Sequence, residues 1–254
     1  MKNHNLLYKL LMLVALFVSK ESFASPIDSL ENKLSFSATV GTKIGGATPV
    51  SFPSEIRKIR SFSPAVPFLV GAHAKYQISN KWGASLGLVF EGKGMNTEAT
   101  VKGYKTTFNA NEDPTENIQG YYTGDISTNV HNLYITIPIK ANYQLSQKWE
   151  LTAGPYVSFA VRRKFFGQAF NGYMRDIDPT GARIDIDLAD YDFSKSVRTI
   201  DVGMSAGTQY EMSKRFFALA QFDYGFNNIM KTGFESISFG LHNIFLNVGV
   251  GIKL

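Results

Sequence analysis

Along several stretches of this chain, apolar and polar side chains alternate from one residue to the next. Between Leu133 and Leu145 the odd positions are aliphatic residues or tyrosine, whereas the even positions hold mostly polar residues. The stretches 200–211 and 244–254 alternate in the same way. A period of two residues indicates a β-strand, and helical spacing explains none of these stretches. The sequence therefore predicts an all-β protein whose strands have one apolar and one polar face.

A repeat of 67 residues organises the strands. The segments 76–82, 143–149 and 210–216 each run from a tyrosine through a serine to a tryptophan or phenylalanine. Self-similarity at a fixed period marks a repeated unit, here a strand, a short polar turn and a second strand, followed by a long connection.

Eight strands result when the same test is applied along the whole chain. They are predicted at 33–44, 66–78, 82–95, 130–145, 149–163, 197–212, 215–228 and 241–254. In an antiparallel arrangement the turns at Ser79, Ser146 and Ser213 lie at one end together with both termini. The long segments 44–65, 96–129, 164–196 and 229–240 lie at the other end. This asymmetry predicts an eight-stranded antiparallel transmembrane β-barrel of the outer-membrane type, with short periplasmic turns and long extracellular loops.

Glycine distinguishes this barrel from a soluble barrel with an apolar interior. Ten glycines are predicted on the polar face of the strands, and they are Gly41, Gly71, Gly83, Gly87, Gly154, Gly203, Gly207, Gly225, Gly249 and Gly251. The inner face of so narrow a barrel is the one that needs small residues, so the polar face is predicted to line the lumen. Trp82, Trp149 and Phe216 follow the short turns on the apolar face, where an aromatic girdle is expected.

The N-terminus has the pattern of a secretory signal. Lys2 and Lys9 precede a short apolar run at 10–18, and small residues at Ser22 and Ala24 fit a cleavage site. We expect residues 1–24 to be removed, leaving 25–254 as one barrel domain in the bacterial outer membrane, although a buried N-terminal helix is an alternative. Removal of three lysines and one glutamate lowers the formal charge from +5 to +3, which gives no argument for a nucleic-acid partner.

Four short motifs carry a resemblance to a known family. They are IPIKANY at 137–143, AGPYVS at 153–158, DYGFNNI at 223–229 and NVGVGIKL at 247–254. They resemble the PorT-like outer membrane beta-barrel family common in Bacteroidetes-type bacteria, along essentially the whole mature chain. The chain ends at Leu254, where barrels of this kind often end in an aromatic residue. The resemblance implies a membrane barrel, with a part in protein secretion as one expected function, and it supplies no catalytic residues.

Charged residues are predicted to fill the lumen. The positive ones are Lys43, Lys75, Lys93, Lys140, Arg162 and Lys253, and the negative ones are Glu91, Glu150, Asp201, Glu211 and Asp223. In a narrow barrel these side chains must pair, so we expect a structural polar plug, with a proton or solute path as the alternative. Pro138 and Pro155 fall on neighbouring strands and predict a local bulge.

Few residues indicate catalysis or metal binding. The chain has no cysteine, which excludes thiol chemistry, disulfides and a lipoprotein anchor. His73 is predicted to face the lumen, and His131 and His242 lie near the outer rim, with no nucleophile motif to complete a hydrolase. The acidic segment 176–192 does not match a calcium-loop template, and is expected to be solvated. We therefore predict no catalytic, cofactor-binding or metal-binding residues, and no enzyme.

Two basic runs are predicted near the outer membrane surface. Arg57, Lys58 and Arg60 form one, and Arg162, Arg163 and Lys164 form the other. Anionic lipids, including lipopolysaccharide, are therefore expected neighbours. The barrel-assembly machinery during insertion and an extracellular or envelope protein are further expected partners. The leading functional prediction is surface interaction or envelope structure through the extracellular segments. The alternatives are a membrane component that assists protein secretion and, third, a lipid-modifying enzyme.

Overall fold

The computed structural model describes residues 33–109, 117–176 and 178–254. The predicted signal peptide 1–24 and its cleavage site lie outside the described residues, so they stay predictions. Nearly all regular structure in the described part is β-strand, with a single turn of 3-10 helix at Ser194–Ser196. Within those ranges no helix has the length and apolar character needed to cross a membrane.

The described residues form eleven strands. They are β1 (Leu34–Pro49), β2 (Ile56–Pro64), β3 (Phe68–Gln77), β4 (Trp82–Asn109), β5 (Asn117–Gln144), β6 (Trp149–Arg162), β7 (Phe165–Asp176), β8 (Arg183–Asp192), β9 (Ile200–Glu211), β10 (Phe216–Gly225) and β11 (Leu241–Lys253).

Eight of these strands close into a ring. Going round the barrel, the antiparallel order is β1, β3, β4, β5, β6, β9, β10 and β11, and β11 then pairs with β1. Each ring strand lies where period-two alternation predicts one, which confirms the eight-stranded antiparallel barrel.

Beyond the ring, the sheet continues past one rim. β2 and β3 both pair with β4, on either side of a bend at Val66, and β6 and β7 both pair with β5. β4 and β5 are 28 residues each, whereas a membrane-spanning strand needs about 9–11 residues. We call the projecting sheet the crown, and it comprises β2, β7, β8 and the parts of β4 and β5 at 95–109 and 117–130.

The crown differs from the long loops that were predicted at 44–65, 96–129 and 164–196. Three of the four long segments contain strands, and only 229–240 has none in a named strand. The crown strands are hard to recognise because β2 is exposed along almost its whole length and has no alternation to detect. In β8, the alternation changes phase near Leu188, where exposed residues stop falling on the odd positions.

The three short turns are built alike, as the 67-residue repeat predicts. In the first, the Trp82 backbone N–H donates to Ser79 Oγ at 3.2 Å, and the Ser79 N–H donates to the Trp82 carbonyl at 2.9 Å. Trp149 and Phe216 make the same contacts with the serine three residues before them. The serine hydroxyl thus satisfies the first backbone donor of the following strand.

The outward face of the ring is apolar. Trp82, Trp149 and Phe216 are each 43–51% exposed on that face, and the rings of Trp82 and Tyr143 lie 4.8 Å apart. The glycines face inward as predicted, and side chains lie across some of them, including Gly71, Gly87 and Gly251. A Cβ on Gly251 would lie 2.1 Å from the Phe217 ring, so the lumen depends on glycine at that position.

The expected bulge at the two prolines is wrong. Ala141 pairs with Ala153 and Pro138 with Tyr156, which is the same register on both sides of the prolines. Pro138 faces the lumen, and Pro155 faces outward. No extra residue is inserted at the prolines. Between these two pairs, residues 139 and 140 of β5 form no β-ladder pair with β6, which accommodates the missing proline N–H groups.

Candidate functional site

The centre of the lumen is filled by two buried lysines and their acidic partners. Lys43 and Lys93 are each 1% exposed, and both contact Glu91. Lys93 Nζ also donates to Asp201 Oδ2 at 2.7 Å. The Lys93 ammonium lies 4.4 Å from the centre of the Tyr156 ring, which adds a cation–π contact. Ion pairs and hydrogen bonds thus join the side chains that fill the centre of the barrel, and among the described residues only Asp201 Oδ1 of this cluster lacks a hydrogen-bond partner.

A second acidic centre lies beside the first. Asp223 accepts hydrogen bonds from Ser205, Gln221 and Asn247 at 2.6–2.8 Å, and its carboxylate lies 3.7 Å from Lys43 Nζ. Lys140 donates in turn to Gln221. One continuous network therefore connects side chains from opposite walls of the barrel, as the predicted polar plug requires.

The lumen contains one positive charge fewer than predicted. Arg162 is exposed on the outside, because a register shift between Leu133 and Tyr134 breaks the alternation near the end of β6. The remaining five lysines and five carboxylates balance in charge. Towards the turns, Lys75 pairs with Glu150, and Lys253 pairs with Glu211 at 2.9 Å.

A cavity of about 290 Å³ lies in the half of the lumen next to the turns. His73 contributes to its wall and makes a 3.1 Å hydrogen bond with Thr39 Oγ1. The His73 ring lies over Gly87, where a Cβ would come within 2.4 Å of Nδ1. The cavity lining includes both lysines and carboxylates, so its polarity is mixed.

The structure does not bring the three predicted histidines together. His73 lies in the lumen on β3, as predicted. His131 lies on β5 at the outer rim and hydrogen-bonds Asn96 Oδ1 at 2.8 Å. His242 lies on β11, where Nδ1 is 2.9 Å from the Gly225 carbonyl and the ring stacks on Tyr224. Each imidazole has its own local partner, and none is placed as the base of a shared catalytic group.

The crown has a hydrophobic core of its own. Its fully buried members include Val101, Tyr122, Val130 and Met174, each at most 1% exposed. The connections at 193–199 and 226–240 cover this core with Val197, Ile229 and Met230, among others. The Tyr122 hydroxyl donates to the Phe170 carbonyl at 2.7 Å. Burial, together with the nearby Asp125 carboxylate, raises the pKa of Tyr122 to about 12.

The outer face of the crown is polar along β4 and β5. Cross-strand neighbours on this face include Glu98 and Ser127, and Thr100 and Asp125. Thr100 Oγ1 and Arg60 Nη1 donate to the two Asp125 oxygens at 2.7 and 2.5 Å. The hydrogen bond from Thr100 and the positive charge of Arg60 lower the pKa of Asp125. The crown thus has an apolar core as a water-soluble domain does, although Ile59, Phe62, Phe166 and Leu188 are 37–51% exposed.

The acidic segment 176–192 is largely part of the crown. Asp185, Asp187, Asp190 and Asp192 lie exposed on β8, and Asp185 pairs with Arg183 at 2.8 Å. Across residues 33–109, 117–176 and 178–254, no three histidine or acidic side chains converge as metal ligands. The expectation that this segment is solvated and binds no calcium stays a prediction.

The crown is the feature that sequence reasoning missed. A weak signal existed, because Met95, Ala99 and Val101 alternate with Asn96, Glu98 and Thr100 directly after the predicted third strand. In that stretch the apolar residues occupy the odd positions, whereas in the preceding membrane-spanning stretch they occupy the even positions. This inversion makes the alternation appear to end near residue 95.

Comparison with known proteins gives the following matches. The profile of a family described as "Outer membrane protein beta-barrel domain" matches residues 21–231. A search of curated protein sequences finds no significant match. Three solved structures are similar over 87% of this chain. Ail, the attachment invasion locus protein of Yersinia pestis, is 11% identical over 98% of its chain, with a TM-score of 0.35. The N-terminal β-barrel domain of Pseudomonas aeruginosa OprF is 12% identical over 98%, with a TM-score of 0.32. OprG from Pseudomonas aeruginosa is 15% identical over 95%, with a TM-score of 0.30.

Proposed function

The chain belongs to the outer membrane protein beta-barrel domain family, and from this premise we propose that its crown serves surface interaction or envelope structure. In this proposal the barrel is an anchor with a closed lumen. The extracellular crown is the part that contacts other molecules at the cell surface.

The observation that carries the proposal is the construction of the crown. β4 and β5 continue well beyond the length that a membrane requires, and their inner faces pack into a hydrophobic core. A sheet with a packed core holds its outer side chains in fixed positions. This favours a binding surface over a loop that has no role in recognition. The outer face carries the polar residues Glu98, Ser127 and Gln168, which suit contact with a hydrated partner.

The closed lumen supports an anchor rather than a channel. Lys43, Glu91, Lys93 and Asp201 meet at the centre of the barrel with 1–3% exposure. Purified protein in a planar lipid bilayer is therefore expected to show no stable open pore. Steady, large unitary currents would contradict the closed lumen and favour a transport function instead.

The surface role is tested by photo-cross-linking on intact cells. A photoreactive residue at Gln168 on the outer face of the crown should give discrete adducts with a surface or envelope component. The same residue at Gln147, in the second short turn, is the matched control and should not give those adducts. Adducts found only from position 147, or the same adducts from both positions, would contradict the proposal.

Export is the other untested element of the proposal. We expect the mature protein to begin at Ser25 and to fractionate with the outer membrane. N-terminal sequencing of the protein from a native membrane checks the first point. Retention of Met1, or recovery in the soluble fraction without detergent, would contradict it.

The other candidate functions have no specific observation in their favour. A PorT-like part in protein secretion would be supported by a partner at the periplasmic turns, which the photoreactive residue at Gln147 detects. Lipid modification would need a nucleophile and a base in contact where a lipid can reach them. His131 and His242 contact an amide and a backbone carbonyl, and the one hydroxyl–imidazole contact in the described part of the chain, between Thr39 and His73, lies in the lumen.

A further inference from the structure

Six basic residues from three distant segments meet at the outer rim, on the side of the barrel formed by β6 and β9. We call this group the basic rim, and its members are Arg162, Arg163, Lys164, Lys195, Arg198 and Lys231. Only the first three are neighbours in the sequence. The fold brings the others to the same place.

Hydrogen bonds join the three segments. Arg163 Nη1 donates to the Val197 carbonyl at 2.8 Å, which ties the end of β6 to the connection before β9. Arg198 Nε donates to the Met230 carbonyl at 2.8 Å, which ties that connection to the one after β10. A β-bridge between Val197 and Met230 lies between these two contacts. The backbone of the basic rim is therefore held in place, and two of its guanidinium groups have structural roles.

The positive charge of the basic rim is not neutralised by ion pairs in the described part of the chain. Arg60 and Arg183 in the crown each contact an aspartate, whereas none of the six rim residues forms a salt bridge there. Three carboxylates lie near the rim in sequence. Glu235, four residues after Lys231, is exposed and forms no salt bridge within the described residues. Asp192 accepts a hydrogen bond from the Ser194 N–H, and Asp201 points into the lumen towards Lys93. An unneutralised cluster of this size attracts anions.

The basic rim lies directly above the apolar surface that faces the membrane. Phe159 and Ile200 form a cross-strand pair and are 41% and 49% exposed, and Val161 is 55% exposed. Arg162 follows Val161 in the chain, and the side chains of Lys164 and Lys195 are exposed as well. A lipid whose acyl chains contact Phe159 and Ile200 would have its headgroup at the height of the rim.

We propose that the basic rim binds the phosphate groups of an anionic glycolipid of the outer leaflet. Guanidinium and ammonium groups are the donors that bind phosphate most strongly, and a basic cluster at a membrane surface adds attraction for anionic lipids. The apolar wall below the rim distinguishes a membrane lipid from a free phosphate ion. The proposal rests on the barrel spanning the outer membrane, and not on the role proposed for the crown.

The crown supplies a matched control. Arg57, Lys58 and Lys102 are exposed, like the rim residues, but lie about ten residues beyond Phe90, the last outward apolar residue of β4 before the crown. A phosphate group at the membrane surface is out of their reach. Neutralising these three residues changes the total charge by the same amount as neutralising three rim residues.

The experiment compares two triple variants with the wild-type protein in nanodiscs of neutral phosphatidylcholine. The rim variant is R162Q/K164Q/K195Q, which leaves Arg163 and Arg198 to hold the backbone, and the crown variant is R57Q/K58Q/K102Q. Folding of each is checked by the shift in gel mobility on heating. Binding of a fluorescent, doubly phosphorylated lipid A is then measured by titration, with dephosphorylated lipid A and inorganic phosphate as comparison ligands.

The wild-type protein and the crown variant should bind phosphorylated lipid A at least tenfold more tightly than the dephosphorylated lipid. The rim variant should lose this preference. Its affinity for phosphorylated lipid A should fall on the order of 100-fold if the effects of the three neutralised charges add. Equal binding of both lipids by the wild-type protein would overturn the proposal, as would equal losses in the two variants. Competition by inorganic phosphate as effective as that by the lipid would show a free-anion site and overturn the assignment to a membrane lipid.

Discussion

The membrane-spanning part of β4 and the crown part of the same strand have opposite chemistry. Below the rim, outward residues such as Leu86 are apolar, and the inward Lys93 is charged. Above the rim, the outward Glu98 is polar, and the inward Met95 and Val101 are buried apolar side chains. The register between β4 and β5 is unchanged from the Trp82–Tyr143 pair to the Val101–Gly124 pair.

The comparison shows that the surroundings of the sheet, and not its geometry, decide which face is apolar. Lipid covers the outside of the ring, so apolar side chains point outward and the polar ones must satisfy each other in the lumen. Water surrounds the crown, so on β4 and β5 the arrangement reverses and the apolar residues pack inside. Because side chains alternate strictly, the sequence achieves the reversal by exchanging residue types without any slip in register.

The largest effect is expected from breaking the ion cluster in the lumen. Replacing Glu91 by Gln removes the negative charge that both Lys43 and Lys93 contact, at a site where these side chains are 1–3% exposed. Loss of one member of a buried ion pair costs about 3–5 kcal/mol of the free energy of unfolding. Urea unfolding in detergent measures this loss. The control, Glu98→Gln on the outer face of the crown, should change it by less than about 0.5 kcal/mol. Equal effects would mean that the lumen charges are solvated.

The crown core should be sensitive to lost volume. Met174 is fully buried there, so Met174→Ala should cost about 2–5 kcal/mol of crown stability. Proteolysis of the crown should accelerate, while the heat resistance of the ring stays unchanged. Met204 provides the comparison, since it faces outward on the ring with 41% exposure. Lipid can fill the space that Met204→Ala leaves, so that variant should behave like the wild-type protein, and sensitivity of the crown to Met204→Ala would argue against separate cores.

A single type of substitution on one strand compares the two outer faces. Ile137 and Ser127 both point outward from β5, the first from the ring and the second from the crown. Ile137→Arg should cost roughly 2–4 kcal/mol, because it places a charge in the apolar band. Ser127→Arg should cost about 0.5 kcal/mol or less, because water solvates it. Refolding into lipid vesicles, followed by titration with denaturant, gives both values, and similar costs would contradict the reversal at the rim.

The smallest effect is a dependence of crown stability on pH. The pKa of Asp125 is lowered by the Thr100 hydrogen bond and by Arg60, so folding favours the ionised form. The resulting stabilisation is present above the pKa of an unfolded aspartate, about 3.9, and is lost as the pH falls through the lower folded value. Hydrogen exchange near Thr100 should therefore accelerate in acid in the wild-type protein. Asp125→Asn should remove this part of the pH dependence, and an identical profile in the variant would contradict it.

The ring could be predicted from the sequence because each of its strands keeps one face against lipid. That constraint gives an uninterrupted alternation, as in 133–145, and it fixes both the strand and the direction of its side chains. Arg162 was wrongly placed in the lumen because one extra residue, opposite Leu133 and Tyr134, ends the alternation. A bulge of this kind has no signature in the sequence of one strand, since it depends on the partner.

The crown and the basic rim could not be predicted because they depend on which segments meet. β2 is exposed on both faces, so its sequence lacks a periodic pattern. The neighbourhood of Arg163, Arg198 and Lys231 follows from two carbonyl contacts and a single β-bridge between connections. In both hydrogen bonds an arginine side chain meets a backbone carbonyl, and every residue has such a carbonyl, so the sequence does not encode the pairing as a motif.

The most direct test of the reversal at the rim is fluorescence quenching at four positions on β5. Probes would be attached to single cysteines at Ile137, Lys140, Ser127 and Val130, with the protein in lipid vesicles. We expect quenching at 137 by a lipid-soluble quencher, quenching at 127 by an aqueous quencher, protection from the lipid-soluble quencher at 140, and protection from both at 130. Exchange of the patterns at 137 and 140, or identical behaviour at all four positions, would contradict it and favour a soluble barrel with an apolar interior.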